Sequence, residues 1–298
     1  MSKKSSKKMS EEEANKKLAQ YEKIDKKIIP VGICCMLIGV AGVFLAAATD
    51  VGWIAVVAVI ILFGGGIGIL MRGNLQCKME TVVNNQLHDF YEAELEKAFG
   101  PRQRNKEMEI DVALIRELNP VAKYWSDCDE WRFYEGYYHG THFSIENINL
   151  SSERNEPDGK FVDISFEGAV LRCKDVCEPT VDIALSGPGP DNQRDIMDPD
   201  VFSQFYSART SDGQSADHLV SQQLRELFHK MGLVLGKYTV TAMILRNGEA
   251  ILVIKGYSFG YGVPSKNLNL GETRFRFINS LTPACKIIDI LRDNCGKL

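Results

Sequence analysis

Between Ile28 and Met71 the chain of 298 residues holds no basic side chain and one acid, Asp50. A helix at the surface of a soluble protein needs a polar face, so this absence excludes an ordinary amphipathic pair. Other absences exclude specific chemistries. The eight cysteines (Cys34, Cys35, Cys77, Cys128, Cys173, Cys177, Cys285 and Cys295) share no repeating spacing, which excludes a disulfide framework and suits a reducing compartment. Cys173 and Cys177 have no second close pair to complete a zinc site. Gly64, Gly65, Gly66 and Gly68 are followed by no Lys-Ser/Thr pair, so they do not form a phosphate loop. The acids from Asp191 to Asp200 lack the D-x-D-x-D-G spacing of a calcium loop. No metal, cofactor or catalytic residue is therefore assigned.

What is present begins with two apolar runs, 28–48 and 51–71. Each has about the 20 residues that a helix needs to cross a hydrocarbon core of about 30 Å. With only Thr49 and Asp50 between them, the second span must return antiparallel to the first. Ala46 and Ala48 would fit a signal-peptide cleavage site, but the run is too long and a second span follows. Gly64 with Gly68, and Gly42 with Ala46, form small-x-x-x-small steps that predict close packing of the two helices.

The flanks predict orientation. Residues 1–27 carry nine lysines and five acids, and Ser10 with Glu13 forms a capping box for a basic amphipathic leader helix that reaches Pro30. Its lysines suit anionic lipid head groups, or simply a solvated leader that enforces topology. Residues 72–100 form an amphipathic linker helix whose stripe (Leu75, Met79, Val83, Leu87, Phe99) could meet the domain, the leader or a second copy. Lysine and arginine gather on both outer flanks, with Arg72 and Lys78 on the domain side, and the connecting turn has none. The expectation is a multi-pass protein with both termini cytoplasmic.

Residues 101–298 read as a soluble α+β domain with mainly antiparallel strands. Aromatic and β-branched runs flank His139-Gly140, and a stronger hairpin signal is Asn247-Gly248 between YTVTAMILR and EAILVIK. Ser186 to Asp200 reads as loop, Asp217 to Met231 as helix, and Thr282-Pro283 as the opening of a final helix. The two-helix hairpin, Glu135-Gly136 with Gly140 and Phe143, Phe166 with Gly168, Phe205 before the helix from Asp217, and the hairpin carrying Asn247-Gly248-Glu249-Ala250-Ile251 resemble the bacterial membrane proteins of domain of unknown function (DUF) family 3137. The resemblance spans nearly the whole chain and fits the last stretch least. It implies an α+β domain on a membrane anchor and no particular activity.

Three patterns suggest chemistry. Gly256-Tyr257-Ser258-Phe259-Gly260 has the spacing of a nucleophile elbow, yet Tyr261-Gly262-Val263-Pro264 cannot start a helix and no histidine follows His229. His139 and His142 could face one metal across the turn, but two ligands do not make a site. Trp125, Trp131, Phe133, Tyr134, Tyr137 and Tyr138 are interleaved with few bases, which suits a packed sheet and argues against nucleic acid. The sequence thus favours a membrane-anchored binding or scaffolding domain with a protein partner or self-association. Its competitor is a membrane-tethered enzyme acting on a lipid-derived or envelope substrate. A cleft of convergent polar groups would favour the enzyme; an exposed apolar groove or a free sheet edge would favour the binder.

Overall fold

A computed structural model describes residues 9–49, 52–102, 108, 112–118, 120, 125–156, 159–189, 195–260 and 269–294. The turn at Asp50, the first eight residues of the leader, the stretch 191–194, Tyr261 to Pro264, Cys295 and the side chain of Trp131 lie outside the described residues. The helices are α1 (Glu11–Thr49), α2 (Gly52–Phe99), α3 (Val112–Leu118), α4 (Pro199–Phe205), α5 (Gln222–Leu235) and α6 (Leu270–Asn294). The strands are β1 (Asp127–Tyr138), β2 (Thr141–Glu156), β3 (Gly159–Cys173), β4 (Asp182–Ser186), β5 (Ser207–Arg209), β6 (Thr239–Arg246) and β7 (Glu249–Lys255). Contacts divide the chain into two compact units, Met1–Glu92 with Gly262–Phe277, and Ala93–Tyr261 with Ile278–Leu298.

In the first unit, α1 starts at the expected capping box. The Glu13 amide donates to Ser10 Oγ and the Ser10 amide to Glu13 Oε2, each at 3.2 Å. Pro30 lies inside an uninterrupted helix. The helices α1 and α2 are both long and apolar enough to cross a membrane. Only 11% and 13% of their apolar windows are buried, whereas a core helix would hide most of its length. Leu37, Phe44, Trp53, Ile60 and Phe63 are all exposed, a surface that water would not tolerate and lipid would. Both features point to membrane association.

The close approach of α1 and α2 uses the expected Gly42 on α1 but, on α2, a different glycine from the expected ones. A Cβ on Gly65 would lie 2.7 Å from the Gly32 carbonyl oxygen, and one on Gly42 would lie 2.8 Å from the Ala58 Cβ. Nothing lies within 4 Å of a Cβ on Gly64 or Gly68. Further along, Arg72 pairs with Asp25 at 2.7 Å and Gln86 Nε2 donates to the Met9 carbonyl at 3.0 Å. These contacts fix one antiparallel register. Met79, Val83, Leu87 and Tyr91 of the α2 stripe are buried, as are Ala14 and Leu18 of the leader. The opening turns of α6 join them, with Phe277 stacked on Tyr91 at 4.3 Å and Arg274 forked onto Glu11 at 2.9 and 3.0 Å.

The second unit is an α+β domain built on a seven-stranded sheet in the order β1-β2-β3-β7-β6-β4-β5, with every pairing antiparallel. Both tight hairpins have the two positive φ angles of a type I′ turn: 47° and 83° at His139-Gly140, 53° and 84° at Asn247-Gly248. On one sheet face, Ile148, Leu150, Phe166, Val170, Ala242, Ile244, Ile251 and Val253 form a core with Ile115 and Leu118 of α3 and with Trp125. Alternation sends Phe143, Ile145, Leu171, Met243, Leu252 and Ile254 to the opposite face. Phe99, the last residue of α2, meets Phe143 at 4.9 Å and Tyr134 at 5.6 Å between ring centroids.

Two expected boundaries change. The stretch read as loop ends inside α4, whose first two residues, Pro199 and Asp200, it holds; the helix is capped by Asp198, whose side chain accepts from the Asp200 amide. The final helix starts at Leu270 rather than at Pro283, because Asn269 Oδ1 caps it by accepting from the Gly271 amide at 2.7 Å.

Candidate functional site

The sheet register brings together side chains that lie far apart in sequence. On the face covered by α3, Glu249 of β7 lies opposite Arg246 of β6, which lies opposite Asp182 of β4; Tyr137 lies opposite His142 at the other side of the sheet. Arg172 of β3, next to β7, faces the same way because it pairs with Ile251. The result is a polar band crossing the sheet, beside the apolar half that α3 covers.

The band is tightly bonded. Arg172 Nε and Nη2 donate to Glu249 Oε2 at 3.0 and 2.8 Å, a forked pair whose side chains are 17% and 22% exposed, and Lys174 adds a contact at 3.9 Å. Arg246 Nε donates to Asp182 Oδ1 at 2.8 Å and its Nη1 to Glu117 Oε1 of α3 at 2.5 Å. Asp182 also accepts from the Ser211 amide and hydroxyl at 3.0 and 2.6 Å. The Ser211 hydroxyl, with help from Arg246, holds the Asp182 carboxyl down at about 2. Arg246 Nη2 is buried and has no hydrogen-bond partner among the described residues. Two cavities of about 280 Å³ flank this arginine, one toward Leu114, Arg172 and Glu249, the other toward Arg116, Arg209 and Ser211.

The histidines of the first turn do not converge. His142 Nε2 lies 2.8 Å from Oε1 of the fully buried Glu135, with Tyr137 stacked on its ring at 4.8 Å. His139 Nδ1 instead lies 2.8 Å from Asp289 of α6. Nearby, the Tyr138 hydroxyl is hydrogen-bonded to the Cys285 thiol, which burial pushes up to about 11. Such a group stays a thiol at neutral pH and is a poor nucleophile. Among the described residues, no group of three or more His, Cys, Asp or Glu could hold a metal ion.

Gly256 to Gly260 is held as a structural clasp. The Asn147 side chain donates to the Phe259 carbonyl and accepts from the Phe259 amide, both at 2.8 Å, and the Tyr257 hydroxyl donates to the Ser280 carbonyl. Tyr257 and Phe259 are buried, and Ser258 Oγ between them is buried without a hydrogen-bond partner among the described residues. A nucleophilic serine needs a base within hydrogen-bond reach, and Ser258 has none among the described residues.

Sequence reasoning missed the polar band. Its only signal was charge at ends of otherwise apolar strands, at Arg172, Arg246 and Glu249, and the strand order that unites them is not local information. Compared with known proteins, the chain matches no family model, no curated protein and no solved structure.

Proposed function

We propose that this is a multi-pass membrane protein whose termini and sheet domain face the cytoplasm, and that the domain is a binding or scaffolding module. On the motifs set out above, it would join the bacterial membrane proteins of DUF family 3137. The topology follows from charge: α1 and α2 run antiparallel, so the basic leader and Arg72 share one end, and their biases add. Lys16, Lys23 and Lys27 of the leader are exposed, which suits contact with anionic lipid head groups.

The observation that carries the binding role is an edge. Strand β3 pairs with β7 only from Gly168 to Cys173. Ahead of that, Ile164 and Val162 have β2 on one side and no strand on the other among the described residues. Their side chains are 65% and 59% exposed. A strand edge with outward apolar side chains is a template for a further strand, in which backbone bonds give affinity and the side chains give choice. A photo-crosslinking amino acid at Ile164 in living cells should yield a discrete adduct with a protein partner, while the same probe at the exposed Leu219 should not. Equal smears from both positions, or no adduct from Ile164, would sink this reading.

A further inference from the structure

The cavity between α3 and the loop after β5 has a largely basic lining. Arg116, Arg209 and Arg246 line it, together with Glu117, Ser211 and Gly213. Arg246 answers Glu117 and Asp182 through Nη1 and Nε. Arg116 lies 5.5 Å over the Trp125 ring and, among the described residues, meets no carboxylate. Arg209 is exposed on the outermost strand and likewise meets none among the described residues. Asp212, in the same loop, turns its carboxylate to Thr210 and Gln214 and does not line the cavity.

Three arginines thus border one space, and among the described residues two of them meet no carboxylate. A carboxylate offers two oxygens in one plane and suits one arginine fork. Arginines of α3, β5 and β6 line the space from different elements, which suits the three oxygens of a tetrahedral group. We propose that this cavity binds the phosphoryl group of a small phosphorylated ligand or of a lipid headgroup. Its volume of about 280 Å³ leaves room for the rest of the molecule that carries the group.

The full-length protein in phosphatidylcholine nanodiscs, titrated with inorganic pyrophosphate at constant ionic strength, tests this by calorimetry. Saturable one-to-one binding is expected. Arg209→Ala, at an exposed position that leaves the core intact, should weaken it about tenfold, the loss of one charge-assisted hydrogen-bonding group. Arg209→Lys should fall between the two, since it keeps the charge and loses the fork. Lys237→Ala, an equal change of net charge on the exposed turn before β6, should leave binding unchanged. Replacing part of the lipid with phosphatidic acid separates the sources: lost pyrophosphate binding identifies the headgroup as ligand, and unchanged binding identifies a soluble one. Absence of saturation, or equal weakening by Arg209→Ala and Lys237→Ala, would overturn the proposal. The edge at Ile164 is read by a different experiment, so neither failure can be mistaken for the other.

Discussion

The two units treat apolar residues in opposite ways. Along α1 and the first half of α2, Leu37, Phe44, Trp53, Ile60 and Phe63 point outward, and glycines face inward at Gly39 and Gly65. In the sheet domain Phe143, Ile148, Leu171 and Leu252 are fully buried, and charge gathers at one end of one face. The contrast shows which solvent each was selected for. Where lipid surrounds a helix pair, burying apolar area gains nothing, and van der Waals fit at small residues decides the packing. Where water surrounds a sheet, burial is the main driving force and glycine is confined to turns and close approaches.

Substitutions can sharpen this contrast. The largest effect is expected from Phe99→Ala. Its ring is 2% exposed and packs on Tyr134, Tyr138, Phe143 and Phe259, so its loss should cost about 3–5 kcal/mol, read as lowered melting of the sheet domain in detergent. A domain cut at residue 101 would lack this ring, and a cut at 93 would keep it. A melting point left unchanged by Phe99→Ala would show that the aromatic cluster is not part of the domain core.

The next effect separates neighbouring glycines. Gly65→Leu forces a side chain against the Gly32 backbone and should weaken the helix pair by roughly 1–3 kcal/mol, whereas Gly64→Leu enters open space and should be tolerated. Cysteine cross-linking between the two helices in each background measures the difference. Equal behaviour of the two variants would break the contrast drawn above.

The smallest effect is a reading of thiols, with no energy at stake. Cys77, exposed on α2 just beyond the apolar run, should resist an impermeant maleimide in intact cells and react once the membrane is opened. Cys128 should stay slow even then, because burial foremost, with Glu130, Glu146, Asp127 and Asp129 around it, pushes its thiol up to about 12. Cys173 and Cys177 are buried, so among the described cysteines outside the apolar runs Cys77 is the exposed reporter. Labelling of Cys77 before permeabilisation would reverse the proposed orientation.

Local chemistry made much of this fold legible. Ser10 with Glu13, Asn247-Gly248 and His139-Gly140 each carry their whole instruction within four residues, and each forms the turn or cap that it encodes. Asp198-Pro199 carried an equally local signal for α4, hidden among acids and prolines that resemble a loop. The glycine phase was not legible in the same way, because which of Gly64, Gly65 and Gly68 faces the partner depends on the register of two helices. Least legible were the partners of Arg172 and Arg246. Their ion pairs span 77 residues to Glu249 and 64 to Asp182, and exist only once strands distant in sequence lie side by side.

That band also bears on how the sheet assembles. The pairing of β3 with β7 is made across a long stretch of chain, with no tight turn to align it. Shifting β7 by one residue along β3 would turn Glu249 toward the opposite face, where Leu171 and Leu252 lie, and leave Arg172 without its fork. Shifting it by two would keep the faces, in one direction carrying Glu249 a further pleat repeat away from Arg172 and in the other setting it directly opposite. Among the possible alignments only the native one joins Arg172 to Glu249 while burying Val170 against Val253. The charged end of the face therefore penalises a one-residue slip of β7 along β3, a discrimination that a uniformly apolar face could not supply.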